Sequence, residues 1–505
     1  MFRNNSKIKV MKKSILLICI FFIALSACEE SFLEKDQLGV FTEEQFYKTE
    51  EDAIYAVNAA YEHLSFRIDK GFSDVNRLWV LGDIVSDDAI TGNQTQPDVQ
   101  MLDDFSTYAD NENVEVHWQK NYDGITQCNI VLAKIPDIEM DDAMKERILG
   151  EAYFLRGYYY FLLIESFGGV PLILEPKNAS DLKIPRATAA ETWESIESDC
   201  LAAIDRLPAS YDAENTGRAT KGAVTALLAK VYLFQEKWQE AANTAALVES
   251  IGNYALMPNY SDNFNISTEN NQESVWEIQH LTGASPRLGN ALNQICAPQL
   301  YGGGWQFNLP TQNFVDEFEG NDDNGTRDPR LDFTIGRPGN DWFGGTYPAD
   351  GSYSETGYSP KKYIQPTDEC PARADGGLNF TAIRFAEVLL WQAEALAELN
   401  MITEAEIVLE RIRARARAQA EDPVNALPPV TGLSKTEMIN AIRHERRVEL
   451  GFEGKRFFDL VRWGIANDVM IAHGKTGFEN GKHELFPIPQ RELDLNPNLV
   501  QNPNY

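Results

Sequence analysis

The 505-residue sequence lacks the spacings of the common zinc sites, because it contains neither a CxxC pair nor an HExxH motif. Its six cysteines are widely spaced. Four of them, Cys128, Cys200, Cys296 and Cys370, are compatible either with buried thiols or with one or two disulfides in an exported protein. The sequence therefore predicts no metal and no cofactor, and it leaves the state of these cysteines open.

Basic residues are scarce relative to acidic ones. Lysine and arginine together number 45, against 76 aspartates and glutamates, and the formal net charge is −31. A surface of this sign repels phosphate backbones and anionic head groups. We therefore expect a neutral ligand, no nucleic-acid partner, and no membrane attachment through a basic patch.

Long apolar runs are also rare, and the longest lies near the N-terminus, from Ile15 to Leu25. Two lysines precede it, and a Leu-Ser-Ala-Cys sequence ending at Cys28 closes it. Because a membrane span needs about twenty apolar residues, the run predicts an export signal instead. Its end resembles a bacterial lipobox, which implies cleavage before Cys28 and attachment of lipid to the Cys28 sulfur.

Helical periodicity dominates much of the chain. Thr42, with Gln45 three residues later, suggests an N-cap. The predicted helices include Thr42–Leu64, Val114–Ile135 and Asp141–Phe167. The last is apolar on nearly every side, which is typical of a helix buried on several faces. We expect a mostly α-helical scaffold over about 42–252 and 378–464.

Two segments, Thr220–Ile251 and Phe380–Ala418, have the form of tetratricopeptide-like helix pairs. In each, alanines recur at positions that let two helices approach closely, as stacked helical repeats require. The repeats are few and far apart, so ordinary helical hairpins are the alternative.

Between about 253 and 377, glycine, proline, asparagine and aromatic residues replace this periodicity. Tyr301–Thr311 and Asn340–Pro360 are examples, and they predict long loops with short strands, which in compact domains are more often functional than idle. Aromatic rings beside planar polar side chains suit the apolar faces and hydroxyl rims of sugars. Trp305 follows three glycines, an arrangement that predicts an uncovered ring.

The charged segments favour structural roles. Arg443, Arg446 and Arg447 alternate with glutamates, which predicts an ion-pair network. Asp87-Asp88 and the residues from Asp322 to Asp328 do not supply the alternating oxygen ligands of a calcium loop, so we interpret them as helix caps and turns.

Six segments carry a resemblance to a known family. The most specific are AYFLRGYYYFLLIESFGGVPLI (Ala152–Ile173), RHERRVELGFEGKRFFDLVRWG (Arg443–Gly464) and LFPIPQRELDLNPNLVQNPNY (Leu485–Tyr505). They are accompanied by LGDIVSDDAITG (Leu81–Gly92), GGGWQFNLPT (Gly302–Thr311) and TRDPRL (Thr326–Leu331). Together they resemble the SusD/RagB family of outer-membrane nutrient-binding lipoproteins of Bacteroidetes, which also carry a lipobox.

The resemblance implies a signal peptide over residues 1–27 and a single domain over residues 28–505. In that domain, tetratricopeptide-like helix pairs form the scaffold and the loop-rich region carries the ligand site. It further implies a lipid-anchored protein of the outer membrane that passes a nutrient, typically an oligosaccharide, to a SusC-like TonB-dependent transporter. Glu29-Glu30 is similar to signals that send such lipoproteins to the outer face.

Carried over residue by residue, the resemblance points to the loop after the SDD sequence and to the GGGW segment. The ligand-binding candidates are Asn76, Arg77, Asn93, Gln94, Gln96 and Trp305, with Tyr301, Trp342 and Tyr353 in reserve. The loop after the SDD sequence has no aromatic residue, which argues against a starch-like double platform.

Two alternatives to glycan capture remain at this level. The first is a peptide ligand, because some relatives of this family serve peptide transporters. The second is an all-helical glycosidase, which would need two carboxylates about 5–10 Å apart across a cleft. The helix pairs and the lipobox favour binding, so we predict no enzymatic activity.

Overall fold

The computed structural model describes residues 46–68, 75–92, 95–370 and 372–505. The predicted signal peptide, Cys28, Thr42, Asn93 and Gln94 lie outside these ranges. The chain divides into two units, and of the first, Met1–Lys48, only residues 46–48 are described. The second, Thr49–Tyr505, contains every element discussed below. Within the described ranges, no helix combines the length and apolar character of a membrane span.

Helices form the scaffold. In chain order they are α1 (Glu50–Glu62), α2 (Pro97–Asp103), α3 (Glu112–Lys134), α4 (Asp142–Phe167), α5 (Ala189–Ile204), α6 (Lys221–Phe234), α7 (Trp238–Gly252), α8 (Leu292–Cys296), α9 (Gln312–Asp316), α10 (Arg330–Thr334), α11 (Phe385–Glu398), α12 (Ile402–Arg417), α13 (Lys435–Leu450), α14 (Arg456–Arg462), α15 (Ala466–Ala472) and α16 (Gln490–Leu495). A π-helical turn, Trp79–Ile84, precedes α2.

Side-chain caps explain several helix starts. The hydroxyl of Thr49 accepts from the Asp52 backbone N–H, and the Asp52 carboxylate accepts from the Thr49 backbone N–H, which forms a capping box at the start of α1. The Ser434–Glu437 pair does the same for α13. Thr49, and not the predicted Thr42, is therefore the N-cap of α1.

Helix α4 lies at the centre of the core and is buried along most of its length, as its apolar circumference predicts. It packs against α3 and α5. At Gly124 of α3, an added Cβ would lie 2.2 Å from the Tyr159 ring, so only glycine lets the two helices approach this closely.

The two predicted helix pairs are present as α6 with α7 and α11 with α12. The mostly α-helical, tetratricopeptide-like fold class is confirmed. One boundary was wrong: Phe380–Arg384 is a strand, and α11 begins at Phe385. This segment pairs with a distant strand, so helical periodicity alone does not reveal its conformation.

Short antiparallel strands occupy the loop-rich region and its edges. They are β1 (Ala89–Ile90), β2 (Ser274–Ile278), β3 (Leu309–Pro310), β4 (Ile335–Gly336), β5 (Asp341–Trp342), β6 (Gly345–Thr346), β7 (Ser359–Pro360) and β8 (Phe380–Arg384). The described strands pair two by two, as β1 with β3, β2 with β8, β4 with β7, and β5 with β6.

A buried ion-pair network joins the loop-rich region to the C-terminal helices, and this confirms the predicted structural role of α13. Glu445 and Glu449 of α13 bind Arg330 at the start of α10, and Glu449 also binds Arg384 of β8 and Arg415 of α12.

The four cysteines within the described ranges are free and buried. They lie at positions 128, 200, 296 and 370. This resolves the alternative that the sequence left open in favour of thiols.

Candidate ligand-binding site

The structure brings together the two loops that the sequence singled out. Strand β1, which follows the SDD sequence, pairs with β3 at the end of the GGGW segment. A Cβ built on Gly92 would lie 2.6 Å from the backbone oxygen of Gln306. Gly92 thus lies directly against the residue that follows Trp305, and only a glycine allows this approach.

Backbone contacts with α8 position the GGGW segment. The N–H of Trp305 donates to the Gln294 carbonyl at 2.7 Å, and the N–H of Phe307 donates to the Ile295 carbonyl at 2.9 Å. An added Cβ on Gly304 would lie 2.0 Å from the Ala297 oxygen, so this glycine is needed for close contact. The Trp305 ring is half-buried and packs on the main core, and it is therefore less exposed than three preceding glycines suggest.

A group of five aromatic residues lies on the loops around this segment, and we call it the aromatic cluster. Its members are Tyr301, Trp342, Phe343, Tyr347 and Tyr353. The ring centroids of Tyr301 and Trp342 are 5.3 Å apart, and those of Tyr301 and Phe343 are 6.1 Å apart with planes 16° from parallel. The rings of Tyr301, Phe343 and Tyr353 are half-buried and reach the surface.

Trp342 lies beneath the surface of the aromatic cluster, although the sequence placed it among the ligand contacts. It is only 3% exposed. An added Cβ on Gly336 would lie 2.3 Å from its ring, which shows how closely β4 covers that face. Trp342 and Tyr347, which are both buried, therefore pack beneath the half-buried rings of the cluster.

Phe343 lies in the two-residue loop of the hairpin formed by β5 and β6. Trp342 pairs with Gly345, so Phe343 and Gly344 form the turn, and both have positive φ angles of 51° and 78°. Positive φ at both positions is the pattern of a type I′ turn, where Asn and Gly are preferred. A bulky aromatic residue is costly there, which makes Phe343 an unusual choice for a purely structural turn.

Charged side chains border the exposed rings. The guanidinium of Arg373 lies 4.8 Å from the centroid of Tyr301, and Lys361 Nζ lies 5.6 Å from that of Phe343. Lys361 is also held by Asp341, with 2.9 Å between Nζ and Oδ2. Burial raises the pKa of Tyr301, so its hydroxyl remains a hydrogen-bond donor at neutral pH. The cluster thus combines aromatic rings with two cations that lie over the rings of Tyr301 and Phe343.

Asn76 and Arg77 do not reach this surface. The amide of Asn76 donates to the Leu64 carbonyl at 3.1 Å and accepts from the Leu78 N–H at 3.0 Å. Arg77 is 1% exposed and donates to the Val75 carbonyl. Both side chains hold local backbone in place, so we leave them out of the contact surface.

Gln96 is half-buried and immediately precedes α2, at the end of the loop that starts beside Gln306. It is the described member of the three predicted contacts in this loop, since Asn93 and Gln94 lie outside the described residues.

Three aspartates of Leu81–Gly92 hold the two loops in place. Asp87 and Asp88, which we interpreted as cap or turn residues, lie in the short connection between the π-helical turn and β1 and not at a helix start. Asp83 accepts from the Gly454 N–H at 2.9 Å and from the Asn308 amide at 3.2 Å, and burial raises its pKa to about 7. Asp87 and Asp88 form ion pairs with arginines of α13 and α14. Among the described residues, no group of three or more His, Cys, Asp or Glu is arranged to hold a metal ion.

Sequence reasoning missed Phe343, Arg373 and Lys361. Phe343 directly follows Trp342 and precedes two glycines, so a turn signal was present. Which of the Trp342 and Phe343 rings is buried depends on which residue is the last of β5, and the sequence does not show where that strand ends. Arg373 and Lys361 reach the cluster only through tertiary contacts and leave no local signal.

The chain resembles known proteins over almost its whole length. The model described as SusD family matches residues 272–505, and the model described as "Starch-binding associating with outer membrane" matches residues 46–233. A SusD-like protein of Formosa agariphila is 27% identical over 98% of this chain and 100% of its own.

Solved structures are similar in fold as well. A laminarin-binding SusD-like protein has a TM-score of 0.77 and 30% identity, covering 91% of this chain and 100% of its own. A SusD-like carbohydrate-binding protein from Bacteroides fragilis has a TM-score of 0.78 and 26% identity, with coverage of 90% and 100%.

Proposed function

The chain belongs to the SusD family, and on that premise we propose that it is a surface lipoprotein that captures an oligosaccharide. It then delivers the oligosaccharide to a SusC-like TonB-dependent transporter in the outer membrane, without chemical change. Lipid on Cys28 anchors the mature chain, residues 28–505, which acts as one domain on the outer face of that membrane.

The aromatic cluster carries this proposal. The half-buried rings of Tyr301, Phe343 and Tyr353 offer apolar faces on which sugar rings stack, and Trp342 and Tyr347 hold them rigidly from below. Trp305, four residues after Tyr301, and Gln96, at the end of the loop after the SDD sequence, are half-buried and are further candidates for ligand contact. The strongly negative charge favours a neutral glycan over an anionic one.

Laminarin oligosaccharides are the first ligands to test, because a similar solved structure is described as laminarin-binding. Calorimetry on the lipid-free chain should give saturable binding, which Tyr301→Ala should weaken. Tyr108→Ala, at an exposed tyrosine outside the cluster, is the matched control and should bind like wild type. A peptide pool that binds where all glycans fail would favour the peptide alternative.

Incubation with the bound glycan separates capture from hydrolysis. We expect the oligosaccharide to be recovered intact. New reducing ends that depend on the protein would contradict a purely binding role and favour the glycosidase alternative.

Delivery requires a physical complex. Affinity purification of the full-length protein from outer membranes in mild detergent should recover a TonB-dependent β-barrel in near-stoichiometric amount. If lipidated protein is recovered without such a barrel, glycan binding can still hold, but the delivery step is wrong.

A further inference from the structure

A cavity of about 450 Å³ lies beside helix α1 and strand β2, and no residue of the aromatic cluster lines it. It is bounded by the end of α1, the turn over residues 214–218, strand β2 and the hairpin that follows β2. Leu64, Ile278, Leu281 and Leu288 give it largely apolar walls. Pockets of 300–1,000 Å³ with apolar walls are the usual size for small-molecule ligands. We call it the β2 cavity.

Two of the residues that line the β2 cavity carry buried polar groups without a partner. Trp276 is 3% exposed and His280 is 9% exposed. Trp276 Nε1 and His280 Nε2 have no hydrogen-bond partner among the described residues. Because a buried polar group is costly unless it is hydrogen-bonded, a ligand that pairs with either group is favoured over one that cannot.

The hydrogen bond on the other side of the imidazole determines what His280 offers. Its Nδ1 lies 3.2 Å from the Leu288 carbonyl oxygen, which can only accept. Nδ1 therefore carries the proton, and Nε2 is an acceptor. The indole N–H of Trp276 is a donor. Trp276 and His280 are four positions apart in the chain, so the acceptor on His280 and the donor on Trp276 can serve different parts of a ligand. The acceptor on His280 matches a hydroxyl group, which can donate to it.

The arginines that line the cavity are paired with glutamates. Arg67 forms an ion pair with Glu62, and Arg218 Nη1 lies 3.0 Å from Glu151 Oε2. The Glu277 carboxylate accepts from the Asn270 N–H and from the Asn379 amide, at 2.9 Å each. An anionic ligand would lose its hydration without gaining a free cation here. Glu214 at the edge of the cavity is exposed to solvent, which screens its charge, and the Glu277 oxygens already accept hydrogen bonds, so the cavity favours an uncharged ligand.

We propose that the β2 cavity is a second binding site, for a small uncharged molecule with a flat apolar body and one hydroxyl group. The apolar body packs between the leucine and isoleucine walls. The hydroxyl donates to His280 Nε2. This site is independent of glycan capture at the aromatic cluster.

The second site can be tested with 2-naphthol as the probe and with naphthalene, which lacks the hydroxyl group, as the matched compound. Calorimetry and ligand-observed NMR on the full chain should show saturable binding of one 2-naphthol. Thr216→Trp places a large ring at the mouth of the cavity and should abolish binding of both probes. Leu247→Trp, on exposed α7 surface, is the matched control and should leave both unchanged.

His280→Phe tests the hydroxyl contact. It keeps a flat ring but removes the acceptor, so affinity for 2-naphthol should fall about fivefold while affinity for naphthalene stays the same. Melting temperatures of all variants establish that they are folded. The proposal is overturned if 2-naphthol does not bind saturably, if Thr216→Trp binds like wild type, or if Phe343→Ala abolishes binding, which would place the probe on the aromatic cluster.

Discussion

Arg447 Nε donates to Asp88 Oδ1 across 2.7 Å, although 359 residues separate the two in the chain. Arg447 also lies 2.8 Å from Asp87, and Arg456 approaches the same carboxylate. The backbone carbonyl of Asp88 in turn accepts from the Thr311 N–H, at the end of the GGGW segment. The C-terminal helices thus fix the loops that carry the candidate ligand site.

Removal of this arginine should destabilise the protein strongly. Arg447→Met leaves the buried carboxylates of Asp87 and Asp88 with less compensation, and breaking a buried pair costs about 3–5 kcal/mol. Urea unfolding measures the loss. Arg491→Met is the control. The Arg491 side chain, which pairs with Glu115, is 63% exposed, so this substitution should lower the free energy of unfolding by less than about 1 kcal/mol. Equal losses in the two variants would contradict the role assigned to Arg447.

Local sequence signals were sufficient for the scaffold. The buried helix α4 and the pairs α6 with α7 and α11 with α12 follow from apolar and alanine periodicity, which depends only on neighbours a few positions away. The pairing of β2 with β8 does not follow from such periodicity. The two strands lie about a hundred residues apart, and each is too short to give a recognisable sequence pattern.

A pH-dependent contribution to stability arises at His444. Burial alone would lower its pKa, but hydrogen bonds to Glu317 and Glu319 outweigh this and raise the pKa to about 9. A raised pKa stabilises the fold fully below the unfolded value of about 6.5, and the contribution is lost as the pH rises through 9.

The free energy of unfolding should therefore fall by about 1–3 kcal/mol more in wild type than in His444→Gln between pH 6.5 and 10. Chemical denaturation at a series of pH values measures this difference. His473→Gln, at an exposed histidine, should keep the wild-type profile. Parallel curves for wild type and His444→Gln would show that the two glutamates do not hold a protonated imidazole.

Lipid attachment depends on a single sulfur. Since only a cysteine thiol can take the diacylglycerol of the predicted lipobox, Cys28→Ala should abolish palmitate labelling and release the chain from the detergent phase. Cys19→Ala, within the predicted signal, is the control and should label normally. Labelling that persists in Cys28→Ala would rule out the lipobox interpretation.

The candidate site was only partly predictable. The family resemblance located the two loops, and β1 and β3 bring them into contact. It could not decide which rings face solvent, because Trp342 and Phe343 are consecutive and the turn between β5 and β6 buries the first while half-exposing the second. Asn76 and Arg77 are buried by contacts with backbone that no sequence pattern shows.

Trp305 should contribute to both binding and packing. Its ring is half-buried on the core, so Trp305→Ala should lower the melting temperature modestly and weaken glycan binding by about 1–3 kcal/mol, roughly five- to a hundred-fold. Calorimetry and thermal melting on the same sample separate the two effects. Trp305→Phe keeps an aromatic face and should lose less of both. A variant that melts lower but binds normally would make Trp305 a core residue only.

Phe343 should contribute to binding with little net effect on stability, because its backbone conformation favours glycine while its ring offers a face to the ligand. The positive φ costs an L-residue about 1–2 kcal/mol, which Phe343→Gly relieves while it removes the contacts of the ring with Tyr301 and Trp342. These effects oppose each other, so the melting temperature should change little. Affinity for laminarin oligosaccharides should fall at least fivefold, as expected for loss of one stacking ring. Phe343→Tyr keeps the ring and the strain and should bind like wild type. If Phe343→Gly instead melts far lower and binds normally, the ring serves the packing of the hairpin, and the ligand surface must be sought around Trp305 and Gln96.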